Sequence, residues 1–333
     1  MIGYFFVTLL LFTLECLFLG LAGRLKIMNR ACRRTGRNSA DRDCVTIRGG
    51  GFIFVASVWL WAVLCDFSYP WFLIGMTLVS MVSFSDDFRP VPIWTRLIVQ
   101  FVSVLMMFYE LGIIQYYPWW IILMVWIVCV GVVNAYNFMD GINGITGGYS
   151  LAVLFPLMVL NGDFYQGTLE HDSFINPDLL RIVLIGVLVF CFFNFRTKAR
   201  CFSGDVGSIG MAFILIFALG RLIIQTGDWS YIMFLSVYGV DTVLTIIHRI
   251  ILHETLWLPH RKHAYQLMTN ELGFPHLMVA SLYMGLQLLI SAGLIFLPVN
   301  HYAYSAIVLT TLVSTYVIFM KKYYYLHAKT ESD

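Results

Sequence analysis

The stretch Asn134-Ala135-Tyr136-Asn137-Phe138-Met139-Asp140-Gly141-Ile142-Asn143-Gly144 is a polar, glycine-punctuated island between two long apolar runs. Carboxylates and amides left unpaired in lipid are costly, so a chain that carries them at a membrane boundary needs partners for them. We interpret the island as a site for a cation or a polar ligand. The alternative is a capped helix junction, in which Asn137 or Asp140 caps a new helix and the glycines turn the chain.

The composition excludes a soluble globular domain. Hydrophobic residues make up 59% of the chain, charged residues 12%, and the mean hydropathy is +0.79, which indicates a polytopic membrane protein. The formal net charge of +2 gives no electrostatic argument for a nucleic-acid partner, and we expect none. The seven cysteines form no CxxC pair, so we expect buried thiols with neither a disulfide framework nor a zinc site.

The apolar runs predict an all-α membrane protein. The first run, from Ile2 to Gly23, lacks a basic leading segment and is long enough to span, so we expect a retained helix and no cleaved signal. With roughly 17 to 25 apolar residues per span, the chain holds about eleven transmembrane helices in one integral membrane domain, residues 1–333. The predicted spans lie near residues 2–23, 51–66, 69–85, 94–110, 117–136, 145–160, 179–193, 206–226, 229–248, 276–297 and 302–320.

The basic residues predict the orientation. Under these spans every lysine and arginine except Arg181 and Arg221 lies on one side of the membrane. The positive-inside rule makes that side cytoplasmic, with the N-terminus outside and the C-terminus inside. The polar islands fall on the same side and predict one shared site: 48–51, 85–87, 134–144, 194–208 and 260–263.

Asp86 and Asp87 form an adjacent acidic pair at the end of the third predicted helix. Neighbouring helical positions point about 100° apart, so the two side chains cannot face one ligand equally. We therefore expect different roles, with one carboxylate near a divalent metal such as Mg²⁺ and the other near a reacting hydroxyl or phosphate. The alternative is a pair of solvated acids that end a helix.

The segment Phe202-Ser203-Gly204-Asp205-Val206-Gly207-Ser208 stands at the entry to the eighth predicted helix. Free N–H groups and the helix dipole favour phosphate there, and Asp205 is a candidate ligand for a metal that bridges a diphosphate. In the alternative, Asp205 or Ser203 is a plain helix cap.

Two further islands are basic or glycine-rich. The sequence His260-Arg261-Lys262-His263 offers donors for phosphate, and its alternative is a basic anchor facing anionic lipid headgroups. The sequence Arg48-Gly49-Gly50-Gly51 permits close backbone approach to a polar group, and its alternative is a flexible hinge.

Glu15 and Asp241 are acids inside apolar runs, where each needs a partner. Asp241 lies roughly two helical turns before His248 and Arg249, so we expect it to face the polar interior near the cytoplasmic half. The sequence indicates no partner for Glu15.

In this order the islands resemble the polyprenyl-phosphate N-acetylhexosamine-1-phosphate transferases. That membrane family includes phospho-N-acetylmuramoyl-pentapeptide translocase and the bacterial enzymes that initiate O-antigen and related glycans. The resemblance extends from Arg48 to Gln266. The matching motifs are Arg48-Gly49-Gly50-Gly51, Asp86-Asp87, Asn134-x-x-Asn137-x-x-Asp140-Gly141, Gly204-Asp205-Val206-Gly207-Ser208 and His260-Arg261-Lys262-His263.

The resemblance implies transfer of a sugar-1-phosphate from a UDP-N-acetylhexosamine to undecaprenyl phosphate, with release of UMP. It implies Mg²⁺, with Mn²⁺ as an alternative ion, held mainly by Asp205 and supported by Asp87. Asp86 would deprotonate or position the lipid phosphate. The residues it assigns to substrate binding are Arg48, Asn134, Asn137, Asp140, Asn143, Asn194, Phe202, His260, Arg261 and His263; of these, Asp140, Asn143, Asn194 and Phe202 line a uridine pocket.

Two departures from the family pattern indicate which subgroup of the family this sequence resembles. Asn143 stands where many members have a second aspartate, and the loop at 260–266 lacks the clustered histidines of the pentapeptide enzyme. We therefore favour the subgroup that uses plain or deoxy N-acetylhexosamines (GlcNAc, FucNAc or QuiNAc) for lipopolysaccharide O-antigen, capsule or cell-wall glycans. The alternative is phospho-N-acetylmuramoyl-pentapeptide transferase.

The expected location is the bacterial inner membrane, among membrane lipids, with a homodimer as a further expectation. A secondary transporter is the competing class of protein. A transporter would place its acids near the bilayer centre and would show paired halves. In this sequence the polar motifs lie at one interface and the two halves do not match.

Overall fold

A computed structural model describes residues 3–25, 29–31, 45–65, 67–162, 173–255 and 261–330. Its helices are α1 (Tyr4–Leu25), α2 (Phe52–Leu64), α3 (Pro70–Phe88), α4 (Ile93–Glu110), α5 (Ile113–Tyr116), α6 (Trp119–Met139), α7 (Ile145–Leu160), α8 (Pro177–Asn194), α9 (Gly204–Thr226), α10 (Ser236–Ile251), α11 (Ala264–Asn270), α12 (His276–Phe296) and α13 (His301–Thr330). A 3-10 helix, Trp229–Leu235, precedes α10.

Each predicted span coincides with a helical segment, so the all-α polytopic class is confirmed and the chain is an integral membrane protein. Within the described residues, 8 helical segments are long and apolar enough to cross a membrane. Helices α2 and α7 are shorter, and α3 ends in the acidic pair. The number of about eleven crossings stays a prediction.

Helix α9 forms the centre of the bundle. Every residue from Gly204 to Leu219 is buried, and α9 packs against α2, α3, α6 and α7. Aromatic stacking joins it to α3, where the rings of Phe72 and Phe217 lie 4.1 Å apart. By contrast, α1, α6 and α13 are mostly exposed on their outward faces. A helix that is apolar all round is expected at such a central position.

The span predicted at 229–248 is not one continuous α-helix. It begins as the 3-10 helix and becomes α10 at Ser236. The change of helix type frees backbone groups, and lipid supplies no hydrogen-bond partner for them. Gln287 of α12 satisfies two: its Oε1 accepts from Val237 N at 3.2 Å, and its Nε2 donates to Met233 O at 2.9 Å.

Two small elements were not predicted. A short hairpin pairs β1 (Asn29–Ala31) with β2 (Val45–Ile47) in antiparallel register. The stretch between the predicted spans 229–248 and 276–297 contains the helix α11. Both elements lie beside the polar islands, because Ile47 also bridges to Cys201 in parallel register and His263 immediately precedes α11.

The end of the bundle opposite the islands has its own polar pairs. Tyr4 OH donates to Asp178 Oδ1 at 2.5 Å, Trp71 N donates to Glu110 Oε2 at 2.7 Å, and His301 Nδ1 lies 2.6 Å from Asp228 Oδ2. These residues begin or end α1, α3, α4, α8, α9 and α13. The pairs therefore agree with the up-and-down alternation of the predicted spans.

Labelling of single cysteines tests the predicted orientation. Ser173 and Thr197 are exposed and lie at opposite ends of α8. We expect a membrane-impermeant thiol reagent to label Ser173→Cys from outside intact cells and Thr197→Cys only after the cytoplasmic face is opened. The parent protein, treated in parallel, corrects for the native cysteines. Labelling of Thr197→Cys in intact cells would reverse the orientation.

Candidate active site

A backbone layer formed by 47–51 and 201–203 supports the site. Phe202 N donates to Ile47 O at 2.8 Å, Gly50 N to Phe202 O at 2.9 Å, and Gly51 N to Ser203 O at 3.0 Å. The loop that carries Arg48 is thus hydrogen-bonded to the entry of α9. The flexible-hinge alternative for the glycine segment is therefore wrong.

Glycine is required where this layer meets α9. A Cβ built on Gly51 would lie 2.4 Å from Gly207 Cα, and one built on Gly204, which has φ +73°, would lie 2.5 Å from Asp87 Oδ2. No side chain fits at these separations, because real Cβ contacts are much longer. The glycines bring the arginine loop, the acidic pair and the start of α9 into direct contact.

Arg48 joins two of the predicted catalytic acids. Its Nε lies 2.7 Å from Asp87 Oδ1 and its Nη2 lies 2.5 Å from Asp205 Oδ1. Burial by itself lowers the pKa of Arg48. The nearby carboxylates of Asp205 and Asp87 raise it by a larger amount, so the pKa of Arg48 lies above its ordinary value. The guanidinium is therefore a permanent charge between two carboxylates.

Asp87 also caps the central helix from outside it. Its Oδ1 accepts from Asp205 N at 2.9 Å and its Oδ2 from Val206 N at 3.1 Å. Ser203, at the N-cap position, makes no side-chain capping bond, and Asp205 lies within the first turn. The alternative in which Asp205 or Ser203 is a plain cap is wrong. A carboxylate here also interacts favourably with the helix dipole.

Asp86 faces a different partner from Asp87, as adjacent helical positions predict. Its Oδ2 lies 2.8 Å from Arg96 Nη1, and its Oδ1 accepts from Val91 N at 2.6 Å. The same Arg96 nitrogen lies 3.8 Å from Asp205 Oδ2. The acidic pair is therefore not merely solvated. Asp86, Asp87 and Asp205 with Arg48 and Arg96 form what we call the charged cluster.

The central island is both a helix junction and a part of this site. Helix α6 ends at Met139, and Gly144, at φ +85°, leads into α7. Asp140 Oδ1 accepts from Thr146 Oγ1 at 2.6 Å, which ties the acid to the start of α7. Its Oδ2 accepts from Ser203 Oγ at 2.7 Å. Asp140 therefore connects the junction to the backbone layer beneath the charged cluster.

Asn143 and Asn194 hold the loop between α8 and α9. Asn143 Nδ2 donates to Arg196 O at 3.1 Å and to Thr197 O at 3.3 Å. Asn194 accepts from Gly144 N at 2.8 Å and donates to Cys201 O at 2.8 Å. Both amides make hydrogen bonds, and the partners in these bonds are backbone groups of the protein. Contact of either amide with uridine stays a prediction, as does stacking by the half-buried Phe202.

The other two amides of the central island, Asn134 and Asn137, lie in the last turns of α6. Asn137 Oδ1 accepts from Ser208 Oγ at 3.3 Å, which links it to the first turns of α9. Asn134 lies about one turn further from the site and donates to Gln100 Oε1 at 3.1 Å and to Val130 O at 2.8 Å. Asn137 thus lies next to the first turns of α9, which carry Asp205 of the charged cluster. Asn134 instead joins α6 to α4 through its hydrogen bond with Gln100.

The loop that contains Arg261, Lys262 and His263 is held by the buried carboxylate of Asp241. Asp241 accepts from Ala264 N at 3.0 Å and from Tyr283 OH at 2.6 Å, and its Oδ1 lies 3.3 Å from His263 Nδ1. Asp241 therefore does face the polar interior. The loop also meets the central island, because Tyr265 OH donates to Phe138 O at 2.9 Å.

Arg261 and His260 are the other two residues of this loop predicted to bind substrate. Arg261 is exposed, and its contact with a substrate phosphate stays a prediction. His260 lies outside the described residues.

Glu15 lies behind the backbone layer. It is fully buried in α1, its Oε1 is 3.8 Å from the Cys201 thiol, and its Oε2 has no hydrogen-bond partner within the described residues. A Cβ on Gly50 would lie 3.0 Å from the same carboxyl. The structure thus places the acid against the layer that carries Arg48.

The donor set is compatible with a magnesium ion that keeps waters and substrate phosphates as ligands. No group of three or more ligating side chains occurs in the part of the chain described here, but Mg²⁺ usually takes only one or two carboxylates from the protein. Asp205 suits this role best, because Arg96 Nη1, the cation nearest to its Oδ2, lies 3.8 Å away and makes no close ion pair there. The side chain of Asp86 also interacts with the Asp205 carboxyl. Both oxygens of Asp87 are already bonded, so metal ligation by Asp87 stays a prediction.

The sequence motifs do not single out Arg96 or Thr146, and they indicate Ser203 only as a possible helix cap and not as a partner of Asp140. A signal for Arg96 was present: Pro90 and Pro92 turn the chain between α3 and α4, so an arginine one turn into α4 returns to the last turn of α3. The two hydroxyl residues stand next to named motifs, and no spacing rule singles them out.

Comparison with known proteins identifies a family that resembles the segment carrying the acids of the charged cluster. Residues 69–223 match the sequence profile of the family described as glycosyl transferase family 4. This region contains Asp86, Asp87, Asp140 and Asp205. This region is similar to that family, and the resemblance predicted from the motifs is confirmed.

Curated relatives come from the same superfamily. The chain is 30% identical over 161 residues to a probable undecaprenyl-phosphate N-acetylglucosaminyl 1-phosphate transferase of Bacillus subtilis, covering 47% of this chain and 41% of that protein. It is 26% identical over 215 residues to a phospho-N-acetylmuramoyl-pentapeptide-transferase of Thermotoga petrophila, covering 60% and 66%.

A protein of the same name from Lacticaseibacillus paracasei is 24% identical over 280 residues, covering 74% of this chain and 81% of that protein. The chain thus spans less than two thirds of the length of the first two relatives.

Substitution of Gly51 tests the close contact beneath the charged cluster. We expect Gly51→Ala to lower the free energy of unfolding by about 1–3 kcal/mol, because the added methyl group must displace the Gly207 backbone. Gly239→Ala in α10 is the matched control, since nothing lies within 4 Å of a Cβ there. It should keep or raise stability. Equal thermal unfolding midpoints for Gly51→Ala and the parent protein would contradict the contact.

Proposed function

We propose that this protein transfers an N-acetylhexosamine-1-phosphate from a UDP-sugar to undecaprenyl phosphate and releases UMP. The observation that carries the proposal is the charged cluster, in which three acids and two arginines from α3, α4, α9 and the loop before α2 meet at one end of the bundle. The match of residues 69–223 to glycosyl transferase family 4 supports the same chemistry.

In this reaction an oxygen of the lipid phosphate attacks the sugar-bearing phosphorus of the UDP-sugar. The bond from that phosphorus to the oxygen shared with the UMP phosphorus breaks, and UMP leaves with the electron pair. Because both reactants are anions, catalysis requires positioning and neutralisation of charge more than a special functional group. The cluster offers both, with arginine donors set between fixed carboxylates.

Individual residues receive roles from their geometry. Arg48 and Arg96 neutralise the charge of phosphate oxygens. Both guanidinium groups lie close to Asp205, the candidate ligand of the metal that would bind the diphosphate. Asp86, held by Arg96 and Val91 N, orients the lipid phosphate or accepts its proton. Asp87 keeps the start of α9 aligned through its two backbone bonds.

A bound Mg²⁺ would supply further charge neutralisation on the diphosphate. Asp205 would hold it, with Asp87 as the supporting carboxylate and Mn²⁺ as the alternative ion.

The donor sugar is a plain or deoxy N-acetylhexosamine, used at the cytoplasmic face of the bacterial inner membrane to begin an O-antigen, capsule or cell-wall glycan. The Bacillus subtilis relative, whose name specifies N-acetylglucosamine, supports this donor class. UDP-N-acetylmuramoyl-pentapeptide is the second donor to consider, because two of the relatives bear the pentapeptide name. A transporter is disfavoured because the acids of the charged cluster lie at helix ends, away from the middle of a span.

The direct experiment measures UMP. Purified protein in detergent is incubated with undecaprenyl phosphate, Mg²⁺ and a panel of UDP-sugars that includes the pentapeptide donor. We expect UMP release that requires the lipid, the metal and one N-acetylhexosamine donor. Release without lipid would indicate simple hydrolysis, and its absence with every donor would refute the proposed reaction.

Asp205→Asn should abolish turnover while the protein stays folded. Losing a charged metal ligand removes several kcal/mol of transition-state stabilisation, which corresponds to a loss of about 10³-fold or more. Asp178→Asn at the other end of the bundle is the matched control and should retain turnover. Near-normal UMP release from Asp205→Asn, at a parental unfolding midpoint, would refute the metal assignment.

The two members of the acidic pair should fail differently. Asp86→Asn should retain Mg²⁺-dependent binding of the UDP-sugar while turnover falls, typically by ~10²–10⁴-fold for loss of a proton acceptor. Asp87→Asn should weaken that binding and also lower the unfolding midpoint, because it removes a charged cap from α9.

The pH dependence of the Asp86→Asn defect separates its two roles. A loss that shrinks as pH rises indicates deprotonation, because the lipid phosphate becomes fully ionised without help. A constant loss indicates positioning. Indistinguishable binding, turnover and stability in the two variants would contradict the division of labour.

A further inference from the structure

Asp241 is a buried acid inside an apolar span, away from the charged cluster. It is 3% exposed and lies in α10, ten residues before Ile251, where that helix ends. The span that contains it, Trp229–Ile251, is long and apolar enough to cross a membrane. An acid at such a position is costly, so a role beyond packing is the first hypothesis to consider.

The segment that begins α11 returns along α10 to reach this acid. Asp241 Oδ1 accepts from Ala264 N at 3.0 Å, and Asp241 Oδ2 accepts from Tyr265 N at 3.4 Å. Ten residues of α-helix measure about 15 Å, so the start of α11 lies roughly that far inside the end of α10. Lipid offers no acceptor to backbone N–H groups at this depth, and the carboxylate supplies one.

Side chains of the surrounding helices fix the Asp241 carboxylate in place. Tyr283 OH of α12 donates to its Oδ2 at 2.6 Å, and Thr245 Oγ1 of α10 donates to its Oδ1 at 3.2 Å. A hydroxyl has one hydrogen, so Tyr316 of α13 is the donor in its 2.7 Å contact with Thr245. Three helices therefore hold the acid against which the start of α11 is placed.

Tyr265 carries this constraint to the central island. Its side chain is fully buried, and its hydroxyl donates to Phe138 O at 2.9 Å. A Cβ built on Gly141 would overlap the same hydroxyl oxygen. Phe138 and Gly141 stand on either side of Asp140, the acid predicted to line the uridine pocket. The position of Tyr265 therefore bears directly on that part of the island.

His263 is held by the same acid. It is 1% exposed, and its Nδ1 lies 3.3 Å from Asp241 Oδ1. An ionised carboxylate can only accept, so a hydrogen bond here requires the hydrogen on Nδ1 and thereby fixes the orientation of the ring. Asp241 thus sets both the backbone and a side chain of the segment 261–266.

We propose that Asp241 is a positioning residue for the UDP-sugar, because it holds the segment 261–266 against the central island in the arrangement that binds this donor. The inference rests on the proposed function and adds a residue outside the charged cluster. Asp241 acts through His263 and Tyr265 and takes no part in the chemistry. A donor that binds only the held arrangement binds more weakly when the fraction of protein in that arrangement falls. The lipid phosphate, assigned to Asp86 and Arg96, does not depend on this segment.

Replacing the carboxylate by an amide tests the proposal. Asp241→Asn should raise KM for the UDP-sugar about tenfold or more, because one acceptor becomes an NH₂ group that faces other donors. KM for undecaprenyl phosphate should stay unchanged. Asp228→Asn is the matched control, since that carboxylate accepts from Ser230 N at 2.8 Å at the opposite end of the bundle. It should alter neither value.

A milder pair of variants decides the matter if Asp241→Asn does not fold. Tyr265→Phe removes one hydroxyl and keeps the ring, and it should raise KM for the UDP-sugar about two- to tenfold. Tyr304→Phe also removes a hydroxyl that donates to a backbone carbonyl, Ile290 O at 3.0 Å, but at the opposite end of the bundle. It should leave both KM values unchanged. The unfolding midpoint of each variant separates a folding defect from lost binding.

Hydrogen exchange gives a readout that needs no turnover. In the full-length Asp241→Asn protein, amides of 264–270 should exchange faster than in the parent, whereas those of α9 should not change. Faster exchange with an unchanged UDP-sugar KM in both Asp241→Asn and Tyr265→Phe would make the acid a purely structural anchor and overturn the proposal. An equal rise in KM for lipid and donor would overturn it as well.

These outcomes are separate from the test of the proposed function. UMP release by the parent protein reports the reaction, and the KM values of the variants report the positioning. Unchanged donor KM in variants of an active parent refutes only the role of Asp241. A parent protein that releases no UMP with any donor refutes the reaction and, with it, the positioning role in that reaction.

Discussion

The ion pairs of Arg48 with Asp87 and Asp205 are the interaction on which the rest of the site depends. Removing one member of such a buried set leaves the others without compensation, which costs far more than the intact set contributes. The same Asp87 carboxylate holds the first N–H groups of α9, the most buried helix of the bundle. One contact thus fixes both the electrostatics of the site and the position of the central helix.

The membrane explains why the site is built from helix ends. Spanning segments satisfy their own backbone groups, so free N–H donors and close backbone approaches occur where helices begin, end or change type. The contact of Gly51 with Gly207 and the bonds of Asp140 to Ser203 and Thr146 all lie at such places. The change from 3-10 to α-helix before Ser236 follows the same rule with Gln287 as the partner.

The sequence was sufficient to locate the apolar helical segments and to predict that the islands lie at one end of the bundle, because long apolar runs form helices and polar residues gather at their ends. It also predicted that Asp86 and Asp87 face different partners, since helical geometry alone decides that. It could not reveal that Asn143 and Asn194 bind backbone carbonyls and N–H groups of neighbouring loops. Nor could it assign Arg96 to Asp86, because tertiary pairs across a turn leave no period in the sequence. The 3-10 segment and α10 form one continuous apolar span, Trp229–Ile251, so hydropathy does not mark the change of helix type at Ser236.

A double-mutant cycle on Arg48 and Asp87 tests the central claim most directly. Thermal unfolding midpoints in detergent are measured for Arg48→Gln, Asp87→Asn and the double variant, with Arg48→Gln and His301→Gln at the opposite end as the control cycle. Direct contact predicts that the double variant is much less destabilised than the sum of the single changes, with coupling of about 0.5–3 kcal/mol, and that the control cycle is additive. Additive shifts for Arg48 and Asp87 would contradict the claim that this ion pair assembles the site.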